Sequence, residues 1–267
     1  MALISQPLQA FGLVESSWVR ASSACFERHT HDEYVLGANL RGNERIWLDG
    51  QTLEVPPGSV TLYNPLAVQA SEFAPDGVEY ISLHLDPAAL RRVARDNNLQ
   101  QFDDSLSFAQ GVLHNTALYR AIVDFAKADA GEPAYQEEAL LALLAQLLEQ
   151  PTAPVIEQVG SLRLAMQLMR DTPQAKLALE DVAAAAGLSK YHFVRCFKKA
   201  TGLAPLQYHM QLRLSEARRR LREGLHPAEV ADALGFYDQS HFINAFRRVM
   251  GVTPNSYWQA FRASARG

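Results

Sequence analysis

Along residues 1–90 the apolar positions come in short runs that partly alternate with polar ones. The runs cover 34–40, 44–48, 52–55, 60–63 and 79–85. Turn-forming groups separate them: RGN at 41–43, DG at 49–50, PPG at 56–58, NP at 64–65 and PDG at 75–77. Strand side chains point alternately to two faces. Partial alternation with regular turns therefore predicts short antiparallel strands in a sandwich or barrel. Pro57 followed by Gly58 suits a tight turn, because proline presets φ and glycine accepts a positive one.

After residue 86 the period lengthens to that of a helix. Helices are predicted at 87–95, 115–127 and 135–148. The third carries Leu140, Leu141, Leu144, Leu147 and Leu148 on one face, a pattern that fits helix–helix core and also a dimer seam. QPTAPVIEQVG at 150–160 holds two prolines and a closing glycine, so it breaks the helix and reads as a linker. The remainder reads as helix to the end. The expected organisation is an α+β multidomain chain. A β-barrel covers 1–95, a helical segment at 96–150 offers a dimer surface, 151–160 is a linker, and 161–267 is all helical.

The helical part repeats itself. Val182, Ala183, Gly187, Phe193, Phe197, Gly202, Pro205 and Tyr208 recur as Val230, Ala231, Gly235, Phe242, Phe246, Gly251, Pro254 and Tyr257. The steps match except for one extra residue before the second phenylalanine pair, which marks a duplicated unit. Each unit has a short apolar helix, a glycine turn and a capping residue, Ser189 or Asp238. A second helix follows, whose phenylalanines at i and i+4 share its buried face. The opposite face carries Lys190, Tyr191, Val194, Arg195 and Lys198 in the first copy. In the second it carries Gln239, Ser240, Ile243, Asn244 and Arg247. Helix, short turn, then a helix with basic and amide groups facing out is a helix-turn-helix arrangement. Arginine pairs with guanine and Asn or Gln with adenine, so these ten residues are candidate DNA contacts. Two helical hairpins with solvated faces would show the same periodicity.

Charge favours the DNA reading. The chain of 267 residues has a net charge of −4, but 160–267 carries +8 and 1–159 carries −12. A basic half fits a polyanion, whose condensed counterions are released by Lys and Arg. At 48% hydrophobic content, substantial cores can form. Two distant cysteines, Cys25 and Cys196, make a disulfide framework improbable and fit a reducing cytoplasm. No apolar run reaches membrane-spanning length, and the first residues do not read as a secretion signal. The expected location is cytoplasmic.

With these residues in view, 160–267 resembles the DNA-binding domain of the AraC/XylS family of bacterial transcription regulators. GFYDQSHFINAFRRVMGVTPNSYW at 235–258 looks like that family's C-terminal signature. The resemblance implies two helix-turn-helix units joined by a long helix at 206–221, with both reading helices on one DNA face. By position it makes Tyr191, Val194 and Arg195 the base-facing residues of the first unit. Gln239, Ser240, Ile243 and Asn244 are those of the second. Asn244 stands where relatives commonly have Arg, which shifts that half-site toward adenine. Tyr237 stands where a small capping residue is usual, leaving the cap to Asp238.

The N-terminal half is similar to the same family's sensor, a cupin-like barrel. HTHDEYVLG, PPGSVTLYNP and YISLHLDP carry that similarity. It implies an effector pocket using His29, His31, Glu33 and Gln69. Metal-binding cupins add a Glu four residues after the His pair and a later His, and here those positions hold Val35 and Gln69. No metal, cofactor or catalytic residue is therefore assigned. His84 reads equally as structural or pocket-lining, and Tyr34, Trp47 and Tyr63 as core or pocket wall. The resemblance implies double-stranded operator DNA and a small-molecule effector as partners, RNA polymerase as a further one, a homodimer, and no membrane. Three functions stay open: an effector-controlled transcription regulator, a metal-dependent cupin enzyme with a DNA-binding accessory domain, and a DNA-bending protein.

Overall fold

The structure is a computed structural model that describes residues 2–6, 13–21, 25–96, 107–128, 133–152 and 160–264. Most of the expected linker, 153–159, lies outside the described residues, as does 97–106 of the expected helical segment. The chain divides into two compact units. The first comprises Met1–Cys25, Glu33–Ala67 and Ser71–Val155; the second comprises Phe26–Asp32, Val68–Ala70 and Ile156–Gly267.

The described strands are β1 (Ala2–Gln6), β2 (Leu13–Ala21), β3 (Cys25–His29), β4 (Tyr34–Arg41), β5 (Glu44–Leu48), β6 (Gln51–Val55), β7 (Val60–Tyr63), β8 (Gln69–Phe73), β9 (Val78–Leu85) and β10 (Gly111–Leu113). They form a six-stranded sheet in the order β1-β2-β9-β4-β7-β10 and a four-stranded sheet in the order β3-β8-β5-β6. Helices α1 (Pro87–Asp96), α2 (Thr116–Lys127) and α3 (Pro133–Leu148) accompany them. The Asn115 side chain opens α2 by accepting from Leu118 N at 3.0 Å.

Register decides the layers. In the β4–β9 pair Leu36 faces Leu83 and Ala38 faces Ile81. These four, with Val60 and Leu62 of β7, share one core with Leu118, Ile122 and Phe125 of α2 and Leu140, Leu143, Leu144 and Leu147 of α3. Of the expected leucine stripe of α3, Leu140, Leu144 and Leu147 thus lie in the chain's own core with Leu143, Leu148 packs at its edge, and Leu141 is half-buried outside it. Val35 and Tyr63, on the opposite side of the large sheet, pack with Ile46, Leu48 and Val55 of the small one. Strands β4 and β7 are buried on both faces, and for this reason they read as near-continuous apolar runs.

Five strands match the runs seen in the sequence, with boundaries shifted by at most one residue. Strands β1, β2, β3, β8 and β10 were not legible. In β2 the buried face runs Glu15, Ser17, Val19 and Ala21, so two of its four inward positions are polar and the apolar alternation is broken. The exposed positions of β3 and β8, such as Cys25 and Glu72, break any simple apolar pattern. Strand β10 has only three residues.

The second unit holds α4 (Gly160–Asp171), α5 (Leu179–Ala185), α6 (Lys190–Thr201), α7 (Pro205–Arg222), α8 (Pro227–Ala233), α9 (Gln239–Met250) and α10 (Pro254–Ser264). The sequence repeat is a packing repeat. Phe193 and Phe197 lie 5.3 Å apart and Phe197 sits 5.4 Å from Tyr208 at 73°. Phe242 and Phe246 lie 5.7 Å apart and Phe246 sits 5.6 Å from Tyr257 at 65°. All four phenylalanines are at most 1% exposed, so each anchors its helix by about 1.5–3 kcal/mol of apolar burial. The turns between paired helices place Gly187 at φ 64° and Gly235 at φ 66°, a left-handed conformation costly for other residues. Helix α7, about 27 Å long at 1.5 Å per residue, joins the two copies. Arg213 on α7 donates to Pro173 O at 3.0 Å and Ala175 O at 2.9 Å, and His209 Nε2 lies 3.1 Å from Thr172 O. These bonds tie the turn after α4 to the connecting helix.

Candidate nucleic-acid interface and effector site

The second helix of the first helix-turn-helix unit, α6, starts where Ser189 accepts a bond from His192 N, and ends at Gly202 in a left-handed C-cap. With Phe193 and Phe197 buried, the helical period turns Lys190, Tyr191, Arg195 and Lys198 outward and leaves Val194 half-buried. Tyr191 is 79% exposed, far more than a tyrosine needed for packing. An open groove of about 690 Å³ is lined by Leu179, Lys190, Tyr191, Val194, Arg195, Lys198 and Lys199. Its floor is apolar and its rim cationic. Leu179 and Lys199 were not singled out from sequence. Leu179 opens α5, and only folding brings it beside α6. Lys190 pairs with Glu180 of α5, and this bond holds the Glu180 carboxyl below its ordinary pKa.

The corresponding helix of the second unit, α9, is built the same way. Asp238 accepts from His241 N at 2.6 Å, so it carries the cap as expected, while Tyr237 stands 92% exposed beside it. Gln239, Ser240, Ile243, Asn244 and Arg247 are all exposed. The two faces differ in chemistry. The first is cationic with an aromatic, whereas the second is amide and hydroxyl with its charge in the last turn, at Arg247 and Arg248.

In the first unit Glu33 is 1% exposed and its carboxylate lies 3.6 Å from His84 Nδ1. His84 Nε2 lies 3.4 Å from Ser82 Oγ. The strand pairing sets Glu15 and Val35 directly opposite His84. Glu15 is buried and accepts from Ser17 at 3.3 Å. Thus Glu33 and His84 come together, and Val35 occupies the position a cupin ligand would have. Tyr63 belongs to the core between the sheets, but Tyr34 packs on the other side against Phe108 at 5.5 Å. Burial raises the Tyr34 hydroxyl to about 12.

In the second unit His29 and His31 make an edge-on ring pair at 5.0 Å. His29 Nδ1 lies 2.7 Å from Glu27 O, and His31 Nδ1 lies 3.1 Å from Arg218 Nη1. Arg218 is 1% exposed, and its Nε also reaches the Tyr257 hydroxyl at 3.4 Å. Gln69 is buried at the head of β8. Sequence reasoning missed Glu44, which is 6% exposed on β5. Its signal was present: Glu44, Ile46 and Leu48 alternate onto one face, and that face is buried. Burial raises the Glu44 carboxyl to about 7, with a hydrogen bond from Ser71 opposing the shift.

Comparison with known proteins agrees with this layout. The AraC-like ligand binding domain model matches residues 19–153, just over half the chain, and a helix-turn-helix domain model matches 182–260. The HTH-type transcriptional regulator YbfI of Bacillus subtilis is 26% identical over 227 residues, covering 81% of each chain. The multiple antibiotic resistance protein MarA of Escherichia coli is 32% identical over 90 residues, 33% of this chain and 71% of its own. ToxT from Vibrio cholerae, solved with an unsaturated fatty acid bound, has the same fold at a TM-score of 0.59 and 12% identity, covering 96% of this chain and 94% of ToxT. No helix among the described residues is long and apolar enough to cross a membrane. With a ligand-binding β domain ahead of two helix-turn-helix units, the chain belongs to the AraC/XylS family of transcription regulators.

Proposed function

We propose that the protein is an effector-controlled, sequence-specific regulator whose helices α6 and α9 enter successive major-groove segments of an operator. The observation that supports it most directly is the pair of matched helices, each capped, each anchored by two buried phenylalanines, and each presenting its remaining face to solvent. Helix α7 joins them, and successive major-groove segments on one face of B-DNA lie about 34 Å apart. In this reading Tyr191, Val194 and Arg195 read the first segment, and Gln239, Ser240, Ile243 and Asn244 the second. Lys190, Lys198 and Arg247 hold phosphates.

A small molecule bound in the β domain sets the DNA affinity, by binding the two DNA-affinity states unequally. His29, His31, Glu33 and Gln69 remain candidates for that control. Their partners are mostly protein groups, so they serve better as fixed supports than as the first contacts of an effector. Pairing of two copies on tandem sites and contact with RNA polymerase belong to the same reading, as does a cytoplasmic, non-enzymatic role. Operator selection from random DNA tests it. Arg195→Ala should weaken the selected site by about 1–3 kcal/mol and random DNA much less. Equal losses on both would assign Arg195 to phosphate and remove it from base reading.

A further inference from the structure

The segment Phe26–Asp32 lies far from the helices in sequence, yet it belongs to the same compact unit as 156–267. Two of its side chains reach different parts of that unit. Arg28 Nη1 donates at 3.1 Å to the carbonyl of Gly202, the residue that ends α6. His31 Nδ1 lies 3.1 Å from Arg218 Nη1 on α7. A guanidinium only donates, so His31 Nδ1 is the acceptor and carries no proton. Arg218 is 1% exposed, and a buried cation needs its donors met. Its Nε reaches the Tyr257 hydroxyl at 3.4 Å, and its guanidinium stands 6.0 Å from the centre of the Tyr257 ring. Tyr257 in turn packs at 5.6 Å on Phe246, which anchors α9.

The segment thus holds the end of α6 with one side chain. With another it holds, through Arg218 and Tyr257, the core that seats α9. Between the two grips its own shape is fixed. Thr30 is 1% exposed, His29 Nδ1 lies 2.7 Å from Glu27 O, and the His29 ring stands edge-on to His31 at 5.0 Å. Along the chain α6 and α9 are joined through α7, and long helices bend. The segment adds a second tie across them.

We propose that residues 28–31 are a strap that sets the spacing and rotation of α6 relative to α9. Arg28 and His31 are then positioning residues for operator recognition, Arg28 acting through the end of α6 and His31 through Arg218. The proposal rests on reading α6 and α9 as the helices that enter DNA, and it adds what fixes the distance between the two segments they read. One base pair inserted between those segments moves the second by about 3.4 Å and turns it by about 35°. A strapped pair of helices cannot follow that change, whereas a loosened pair can. The strap therefore makes the chain selective for operator spacing.

The test uses the full chain and an operator selected from random DNA. Affinity is measured on that operator and on versions with one base pair inserted or removed between its two segments. The wild type should prefer the selected spacing by about 30-fold or more, because a shifted site loses simultaneous engagement. In Arg28→Ala and in His31→Ala that ratio should fall by about fivefold or more. His31→Asn, whose carbonyl can replace Nδ1 as acceptor, should restore most of it. Arg28 is exposed, so its variant keeps the test decisive if His31→Ala folds poorly. A merely structural role would lower affinity for all spacings together. An unchanged ratio in both alanine variants, or a wild type indifferent to spacing, overturns the strap while the regulator reading stands. A second readout needs no DNA. Spin labels at Lys199→Cys and Arg248→Cys, in a Cys25→Ser and Cys196→Ser background, should show a broader distance distribution once Arg28→Ala is added. An unchanged distribution also overturns the strap. Selection that yields no two-segment operator would instead sink the regulator reading, and the distance measurement would still decide the strap.

Discussion

Glu44→Gln should change how stability responds to pH, in a direction opposite to ordinary carboxylates. The Glu44 carboxyl is raised from 4.5 to about 7 by burial. A raised acid binds its proton more tightly folded than unfolded. Folding is therefore favoured below the unfolded value and loses that advantage as pH climbs through the folded one. A tenfold difference in proton affinity is worth about 1.4 kcal/mol, so the full window amounts to something on the order of 3 kcal/mol. Roughly 2 kcal/mol of it falls between pH 5.5 and 8. Glutamine keeps the shape and can still accept from Ser71, but it has no charge to desolvate. The variant should thus gain about 2 kcal/mol on the wild type between pH 5.5 and pH 8. Urea unfolding at both pH values measures that double difference, and carbon-13 titration of the Glu44 carboxyl measures its pKa. A difference that stays flat, together with an inflection between pH 4 and 5, would show that water or an unseen partner already solvates the carboxylate.

Two further outcomes are expected. Lys198→Ala, at the last turn of α6, should lower affinity for every DNA sequence and flatten the logarithmic salt dependence by about one unit; an unchanged slope would reject a phosphate role. His209 is held below its ordinary pKa by burial and by Arg213, against a bond to Thr172 O. As pH falls below about 6.5 the unfolded chain takes up the proton first, so the folded state loses stability. His209→Gln should make the urea midpoint less sensitive to acid between pH 7 and 5. Identical slopes in both proteins would refute it.

The sequence by itself determined the helical unit almost completely. Its repeat, its phenylalanine pairs, its caps and its outward-facing residues all depend on local periodicity. Residues three or four apart share a helix face whatever else the chain does. Asp238 could be assigned the cap beside Tyr237 because capping involves only the next three residues. The β domain was less legible, because a strand's neighbours are set by pairing across long separations. Nothing near Glu15 in sequence says that it will lie opposite His84, and nothing near Ser71 says that it will bond Glu44. The polar character of the inner face hid β2 and turned attention to the histidine pair. Tertiary structure alone decided that Leu140, Leu144 and Leu147 of α3 face their own core, that Tyr34 and Tyr63 lie on opposite sides of one sheet, and that Leu179 joins the groove along α6. Each of these is a choice of partner, and desolvation rewards a buried side chain only for what the whole fold places against it.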